Sequence, residues 1–336
     1  MMLAQIPRPN LYKKFGDPHK LVEFRVFSFN SCSAGCKNCF YKKSDNHYYD
    51  FESVRKLAAE LAAHDYSLET LYLLPTDVFE NDFNYKVFED PEFIKAANLF
   101  SYIGLATALS KGFDQKFLES FFRSFPGHKI EMHVNLKEDL LGSAEYLAKL
   151  RSDVRGIKAL FGDQILLNLA LNLGTPVLKE DMVTIDSLVE ELSDDRILEL
   201  NFTFLFNSQF PQARKTQMLL ESYPVIQHFS DLFGKNEQSY NSRTLLRKPS
   251  FVFKDEKVFL TPIIPFDEYV FVDDAACRLT RPDFESFLES YSKLEALNTP
   301  IIPECDSCEM LSLCHGKHFF SMAHMLHLDC LKEVGK

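Results

Sequence analysis

The 336-residue sequence lacks the features that place a chain in a membrane or on nucleic acid. No stretch approaches the ~20 consecutive apolar residues of a spanning helix, and the opening Met1-Met2-Leu3-Ala4-Gln5-Ile6-Pro7 has no positive region followed by an apolar run. A soluble, cytoplasmic protein is expected. Positive charge is also short: 37 Lys and Arg stand against 48 Asp and Glu, a net charge of −11. That balance argues against nonspecific binding to nucleic acid or to an anionic membrane surface, because both depend on excess cations. There is no internal repeat at a fixed period and no low-complexity tract, which sets aside solenoids and disordered tails. What remains is ordinary globular composition, 46% hydrophobic and 25% charged, in a chain long enough for one large domain and a smaller appendage.

Cysteine is where the sequence departs from the ordinary. Of eight cysteines, seven fall into two clusters, and disulfides are the expectation for short secreted chains rather than for this one. Thiolate ligation of a metal fits better. Around the clusters, short β-branched or aromatic runs alternate with helical patterns. The runs at 22–29, 70–74, 102–107, 129–135, 165–171 and 197–204 predict strands, and 51–64, 114–122, 143–151 and 181–192 predict helices. Such alternation makes a parallel sheet of βα units, and six units make a partial (β/α)6 barrel of the α/β class. Its chemistry is expected at the C-terminal ends of the strands. Residues 1–206 are assigned to this barrel, 207–248 to a helical and polar linker region, and 249–336 to a small cysteine-rich domain. A helical stretch at 217–233, a hairpin of 251–253 with 258–260, and a further strand at 269–272 are expected after the barrel.

Directly after the first strand comes Cys32-Ser33-Ala34-Gly35-Cys36-Lys37-Asn38-Cys39-Phe40-Tyr41, a C-x3-C-x2-C loop that Gly35 helps to fold tightly. Three thiolates on one short loop can hold three irons of a 4Fe-4S cube and leave the fourth open to a ligand. This motif, in this place, resembles that of the radical S-adenosylmethionine superfamily, and the resemblance covers about the first 200 residues by strand order. The resemblance implies a catalytic 4Fe-4S cluster on Cys32, Cys36 and Cys39. It further implies that S-adenosylmethionine on the open iron is cleaved to a 5′-deoxyadenosyl radical, which abstracts a substrate hydrogen. Many members carry an aromatic residue just before the third cysteine; here that residue is Asn38, and Phe40 or Tyr41 is the candidate to stand in for it. Zinc or buried thiols are the alternative, with His47 an awkward fourth zinc ligand.

The family's glycine-glycine-glutamate turn after the second strand is replaced here by Pro75-Thr76-Asp77. Thr76 or Asp77 can accept from the ammonium of S-adenosylmethionine, and a turn with a helix cap is the equal alternative. Asn135 ends the fourth strand where relatives often place a polar residue on the ribose. Asn168 and Asn172 interrupt the apolar fifth strand, where a polar side chain needs a partner in cofactor or backbone. Asn135 and Asn168 join Phe40, Tyr41, Thr76 and Asp77 as cofactor candidates.

The second cluster is Cys305-Asp306-Ser307-Cys308, Cys314 and Cys330, with Cys277 alone upstream. Its C-x2-C-x5-C spacing resembles the SPASM extension of radical enzymes, whose full form binds two auxiliary 4Fe-4S clusters. His318 stands where that extension has a further cysteine, and Thr261 where it commonly has another, so one auxiliary cluster is expected on Cys305, Cys308, Cys314 and Cys330. A zinc knuckle on these four, or on three with His315 or His318, is the competing assignment, and His324 and His327 suit supporting roles better than ligation. The resemblance implies a peptide or protein substrate and an electron donor such as flavodoxin or ferredoxin. About twenty residues precede the first strand, too few for a packed leader-recognition domain, so recognition would need a separate partner or another surface. A radical enzyme acting on a small metabolite, and a non-catalytic iron-sulfur or zinc protein, are the other readings; two fully ligated metal sites would favour the last.

Overall fold

A computed structural model describes residues 20–27, 50–74, 77–80, 82–172, 174, 179–194, 198–201, 210–222, 250–254, 257–260 and 278–297. Its centre is an eight-stranded sheet in the order β6-β5-β4-β3-β2-β1-β7-β8. The strands are β1 (Leu21–Phe27), β2 (Ser67–Leu74), β3 (Tyr102–Thr107), β4 (Lys129–Leu136), β5 (Ile165–Asn172), β6 (Leu198–Asn201), β7 (Ser250–Lys254) and β8 (Lys257–Leu260). The first six are parallel and lie in chain order, as the strand-helix alternation predicts. Right-handed crossovers that never reverse direction put every connecting helix on one side of the sheet. That leaves the opposite face for something else.

The helices are α1 (Phe51–Ala63), α2 (Pro91–Ala97), α3 (Gln115–Ser124), α4 (Ala144–Phe161), α5 (Lys179–Leu192), α6 (Gln212–Glu221) and α7 (Phe284–Leu297). Their starts are set locally. Asp50, Asp90, Asp114 and Ser143 each accept from a backbone amide of the following first turn, and Pro91 opens α2 where no donor is needed. The predicted helix at 143–151 continues ten residues further as α4, because Leu150, Val154, Ile157 and Phe161 carry one apolar stripe onward onto the sheet. α2 and α7 are additions to the sequence-based expectation, and the strand expected at 269–272 lies outside the described residues.

The helix-facing side of the sheet is the core: Val22, Phe24, Val26, Leu71, Leu73, Ile103, Leu105, Ile130, Met132, Val134, Leu167 and Leu169 are all within 1% of complete burial. Phe24 sits among Phe100, Phe251 and Phe253 at ring-centroid distances of 5.1, 5.0 and 5.0 Å. The hairpin expected at 251–260 forms, and β7 adds to β1 in parallel, so this hairpin belongs to the same sheet as the six βα strands. α7 is tied to the end of α1: the Phe284 amide donates to Glu60 at 2.7 Å, and the Phe284 ring stacks on His64 at 3.7 Å.

Candidate active site on the polar face of the sheet

Strands alternate their side chains between faces, so the residues between the core positions line the other side. On β1 these are Glu23 and Arg25; on β2, Thr70 and Tyr72; on β3, Gly104 and Ala106; on β4, Glu131, His133 and Asn135; on β5, Leu166 and Asn168. Register places Arg25, Tyr72, Gly104, Glu131 and Leu166 in one row across five strands, and Ala106, His133 and Asn168 in the next row toward the C-terminal ends.

These residues are joined. Both the Arg25 Nε and Nη2 donate to Glu23 Oε1, at 2.9 and 2.7 Å, and the Arg25 guanidinium lies over the Tyr72 ring at 5.4 Å. The Tyr72 ring meets the His133 ring edge-on at 5.5 Å. His133 Nε2 is 2.9 Å from Glu131 Oε1, which also accepts from Asn168 Nδ2 at 3.4 Å, while Glu131 Oε2 accepts from Thr70 Oγ1 at 3.0 Å. Gly104 makes this arrangement possible. A Cβ there would lie 2.0 Å from the Tyr72 ring, so only glycine lets that ring lie across β3.

Exposure changes along the strands. Glu23, Arg25, Thr70, Tyr72, Glu131 and Asn168 are sealed, whereas Leu74, Ala106, His133 and Asn135, nearer the C-terminal ends, are reached by solvent, the His133 side chain at 15%. Leu166 in the floor row is also partly exposed, so the polar face is closed over β1 to β4 and opens toward β5 and at the strand ends, the edge where parallel βα folds place their chemistry.

Carboxylates also brace the loops at that edge. Asp77 follows β2, and its Oδ1 accepts from the Phe79 amide at 3.0 Å and its Oδ2 from the Ala108 amide after β3 at 2.6 Å. Lys149 on α4 donates to the Leu109 carbonyl at 2.9 Å, holding a residue whose φ is +50°, and Glu138 after β4 accepts from the Gly174 amide after β5 at 2.9 Å. Asp77 thus caps a turn and ties two loops, as the cap alternative for it anticipates. Asn168 finds its partner within the protein. Asn135 is half-buried at the end of β4.

Phe40, Tyr41, Thr76 and all eight cysteines, including Cys32, Cys36, Cys39, Cys305, Cys308, Cys314 and Cys330, lie outside the described residues. Among the described residues no three His, Cys, Asp or Glu side chains are grouped as metal ligands, and no helix is long and apolar enough to cross a membrane. The Glu131–His133 pair and its Tyr72 and Arg25 neighbours escaped the sequence reading. Their signal was polar residues at every second position of β1 and β4, which in one sequence reads equally as a solvated face.

No protein-family model matches the chain, and no curated protein does either. Among solved structures, Streptococcus suis SuiB bound to precursor peptide SuiA aligns over 91% of this chain and 74% of its own, at 12% identity and a TM-score of 0.48. The structure of anSMEcpe with bound AdoMet and Cp18Cys peptide aligns over 88% of each chain, at 15% identity and a TM-score of 0.41. Values this low record a similar outline and carry no activity to this chain.

Proposed function

We propose that this chain is a radical S-adenosylmethionine enzyme that abstracts hydrogen from a peptide or protein side chain. The observation that carries the proposal is one of position. The Cys32-x3-Cys36-x2-Cys39 motif begins five residues after Phe27, the end of the first strand of a sequentially wound parallel sheet whose second face is polar and opens at the strand ends.

The donor set fits the cofactors: three thiolates hold a 4Fe-4S cluster and leave one iron for S-adenosylmethionine. When bound, that pair supplies one-electron, hydrogen-abstracting chemistry. The chain's own residues do the rest. Cys32, Cys36 and Cys39 hold the cluster, with Phe40, Tyr41 and Thr76 the neighbouring candidates for the cofactor. Asn135, half-buried at the end of β4, offers an amide at the mouth of the site. Asp77 contributes by fixing the loops after β2 and β3, since both of its oxygens accept backbone amides. The sealed floor beneath excludes water from the inner part of the site. The C-terminal Cys305, Cys308, Cys314 and Cys330 hold an auxiliary 4Fe-4S cluster in this reading, and their SPASM-like spacing is what favours a peptide over a small metabolite. A flavodoxin- or ferredoxin-class protein supplies the electron.

The test is anaerobic reconstitution with iron and sulfide, iron counting, and assay of 5′-deoxyadenosine from S-adenosylmethionine under reducing conditions. Cleavage that Cys36→Ala abolishes, with about eight irons per chain, is expected for two 4Fe-4S clusters. About four irons with cleavage assigns the C-terminal cysteines to zinc or to structure, and neither iron nor cleavage overturns the proposal.

A further inference from the structure

The hairpin β7–β8 and helix α7 follow the six βα units in sequence but build onto the first of them. In the sheet β1 lies between β2 and β7, and β7 pairs with it in parallel from Glu23 to Val26, so among the described strands β1 would be an edge without the hairpin. The hairpin in turn leads into α7: the Leu279 amide donates to the Val258 carbonyl at 2.9 Å, and Phe259 bridges to Arg278 shortly before the helix. α7 then grips α1. Glu60, in the last turn of α1, accepts the Phe284 amide at 2.7 Å. This is the first amide of α7, which has no acceptor within its own helix, and a carboxylate suits that positive end. The Phe284 ring stacks on His64, the residue that ends α1, at 3.7 Å with the planes 14° apart. Phe287, fully buried, joins the two attachments: it lies 5.6 Å from Tyr66 after α1 and 5.3 Å from Phe251 on β7, which is itself 5.0 Å from Phe24 on β1. On another flank α1 meets α2, with Phe51 against Phe93 at 5.1 Å.

β1 ends at Phe27 and α1 begins at Phe51, so the segment with Cys32, Cys36 and Cys39 is strung between the two elements that the hairpin and α7 hold. We propose that Phe284 and Glu60 are positioning residues for this cysteine loop: α7 latches the first βα unit, and through it the C-terminal region fixes both ends of the loop. β7 acts on the strand directly, by pairing along it. The latch on α1 lies at the end away from the loop and acts by holding the helix as one rigid element against α2 and the sheet. A segment whose ends are fixed loses less conformational entropy when its thiolates gather on a metal, so the latch shows in how firmly the loop retains one. α7 also leads toward the second cysteine cluster, since Leu297 stands eight residues before Cys305, and one helix thus serves the barrel's first loop and the approach to the C-terminal cysteines. The proposal goes beyond the radical reading and rests on it only for the metal that the loop holds.

The test is hydrogen–deuterium exchange by mass spectrometry on the full chain without added metal, comparing wild type with Phe284→Ala and, separately, with Glu60→Ala. Each variant is expected to speed exchange of the amides in 51–63 and 21–27 about tenfold and to leave those in 129–136 and 165–172, on β4 and β5, unchanged, because local openings follow contiguous cooperative units. Unchanged exchange in 51–63 overturns the proposal. Equal acceleration in β4 and β5 overturns it too, since that is general destabilisation and not a latch. Glu60 is exposed, so Glu60→Ala decides if Phe284→Ala does not fold. A second readout is the release of iron to a ferrous chelator from reconstituted chain in a Cys305→Ser, Cys308→Ser background, expected to be about tenfold faster with Phe284→Ala, as metal retention is coupled to the order of its ligands. Equal release despite altered exchange overturns the loop's part in the proposal. A chain that takes up no iron fails the radical reading, while the exchange measurement still decides the latch.

Discussion

The two faces of one sheet invite comparison, because the same six strands make both. The face toward the helices is mostly apolar, with Phe24, Leu71, Ile103, Met132 and Leu167 all at most 1% exposed. The other face buries Glu23, Arg25, Thr70, Glu131 and Asn168 at 4% exposure or less. Strands of parallel sheets usually read as continuous apolar runs, since both faces are covered. Burying charge instead demands partners, and here contacts run from Glu23 through Arg25, Tyr72, His133 and Glu131 to Asn168. The lesson is a division of labour. Area burial on one face holds the fold, and mutual satisfaction on the other holds a geometry.

The largest effect should come from the apolar face. Phe24→Ala empties a space enclosed by Phe100, Phe251 and Phe253 and should cost about 3–5 kcal/mol, read as a lowered urea midpoint with an unchanged slope. A loss under about 1 kcal/mol would mean that this face does not carry the fold. On the polar face, Glu131→Leu removes the acceptor that Thr70, Asn168 and His133 share, the first two of them sealed, and should cost about 3 kcal/mol, the upper end expected when sealed polar groups lose a partner. The comparison breaks if Glu131→Leu stabilises the protein, as replacing a whole buried polar cluster by apolar groups sometimes does.

Much of this architecture was legible beforehand. The six strands and their order follow from β-branched runs spaced by helical patterns, and the hairpin at 251–260 from two short runs around Lys254-Asp255-Glu256-Lys257. α2 was missed although Asp90-Pro91 spells a cap and a first turn, because a seven-residue helix is too short to show a period. α4 was cut short at Arg151, where Ser152-Asp153 looks like a stop until Val154 and Ile157 are seen to face the sheet. Of the polar floor only Asn168 was legible, as a polar residue inside an apolar strand that needs a partner. Whether Glu131 and His133 on β4 face water or each other depends on Gly104 and Tyr72, residues on two other strands, and pairing across strands is not written in any local pattern.

That dependence yields a sharper comparison. Gly104→Ala puts a Cβ 2.0 Å from the Tyr72 ring and should cost about 2 kcal/mol, as overpacking of a filled site does. Glycine in a strand is otherwise disfavoured relative to alanine by roughly 0.5–1 kcal/mol. In a Tyr72→Ala background the same change should therefore reverse sign and stabilise. A double-mutant cycle by chemical denaturation measures the difference directly. Equal costs in both backgrounds would show that the ring does not lie across β3 and that the row from Arg25 to Glu131 is assembled some other way.

The smallest effect belongs to neither face. Val183 on α5 is 73% exposed, so Val183→Thr removes no buried area and leaves no sealed group without a partner. Its stability should stay within about 0.5 kcal/mol of the parent, the range for surface changes away from caps and cores. A larger loss would mean that something covers Val183 in solution. The apolar-face argument would then have to include the outer surface of the helix layer, and gel filtration of parent and variant would show whether a second copy is what covers it.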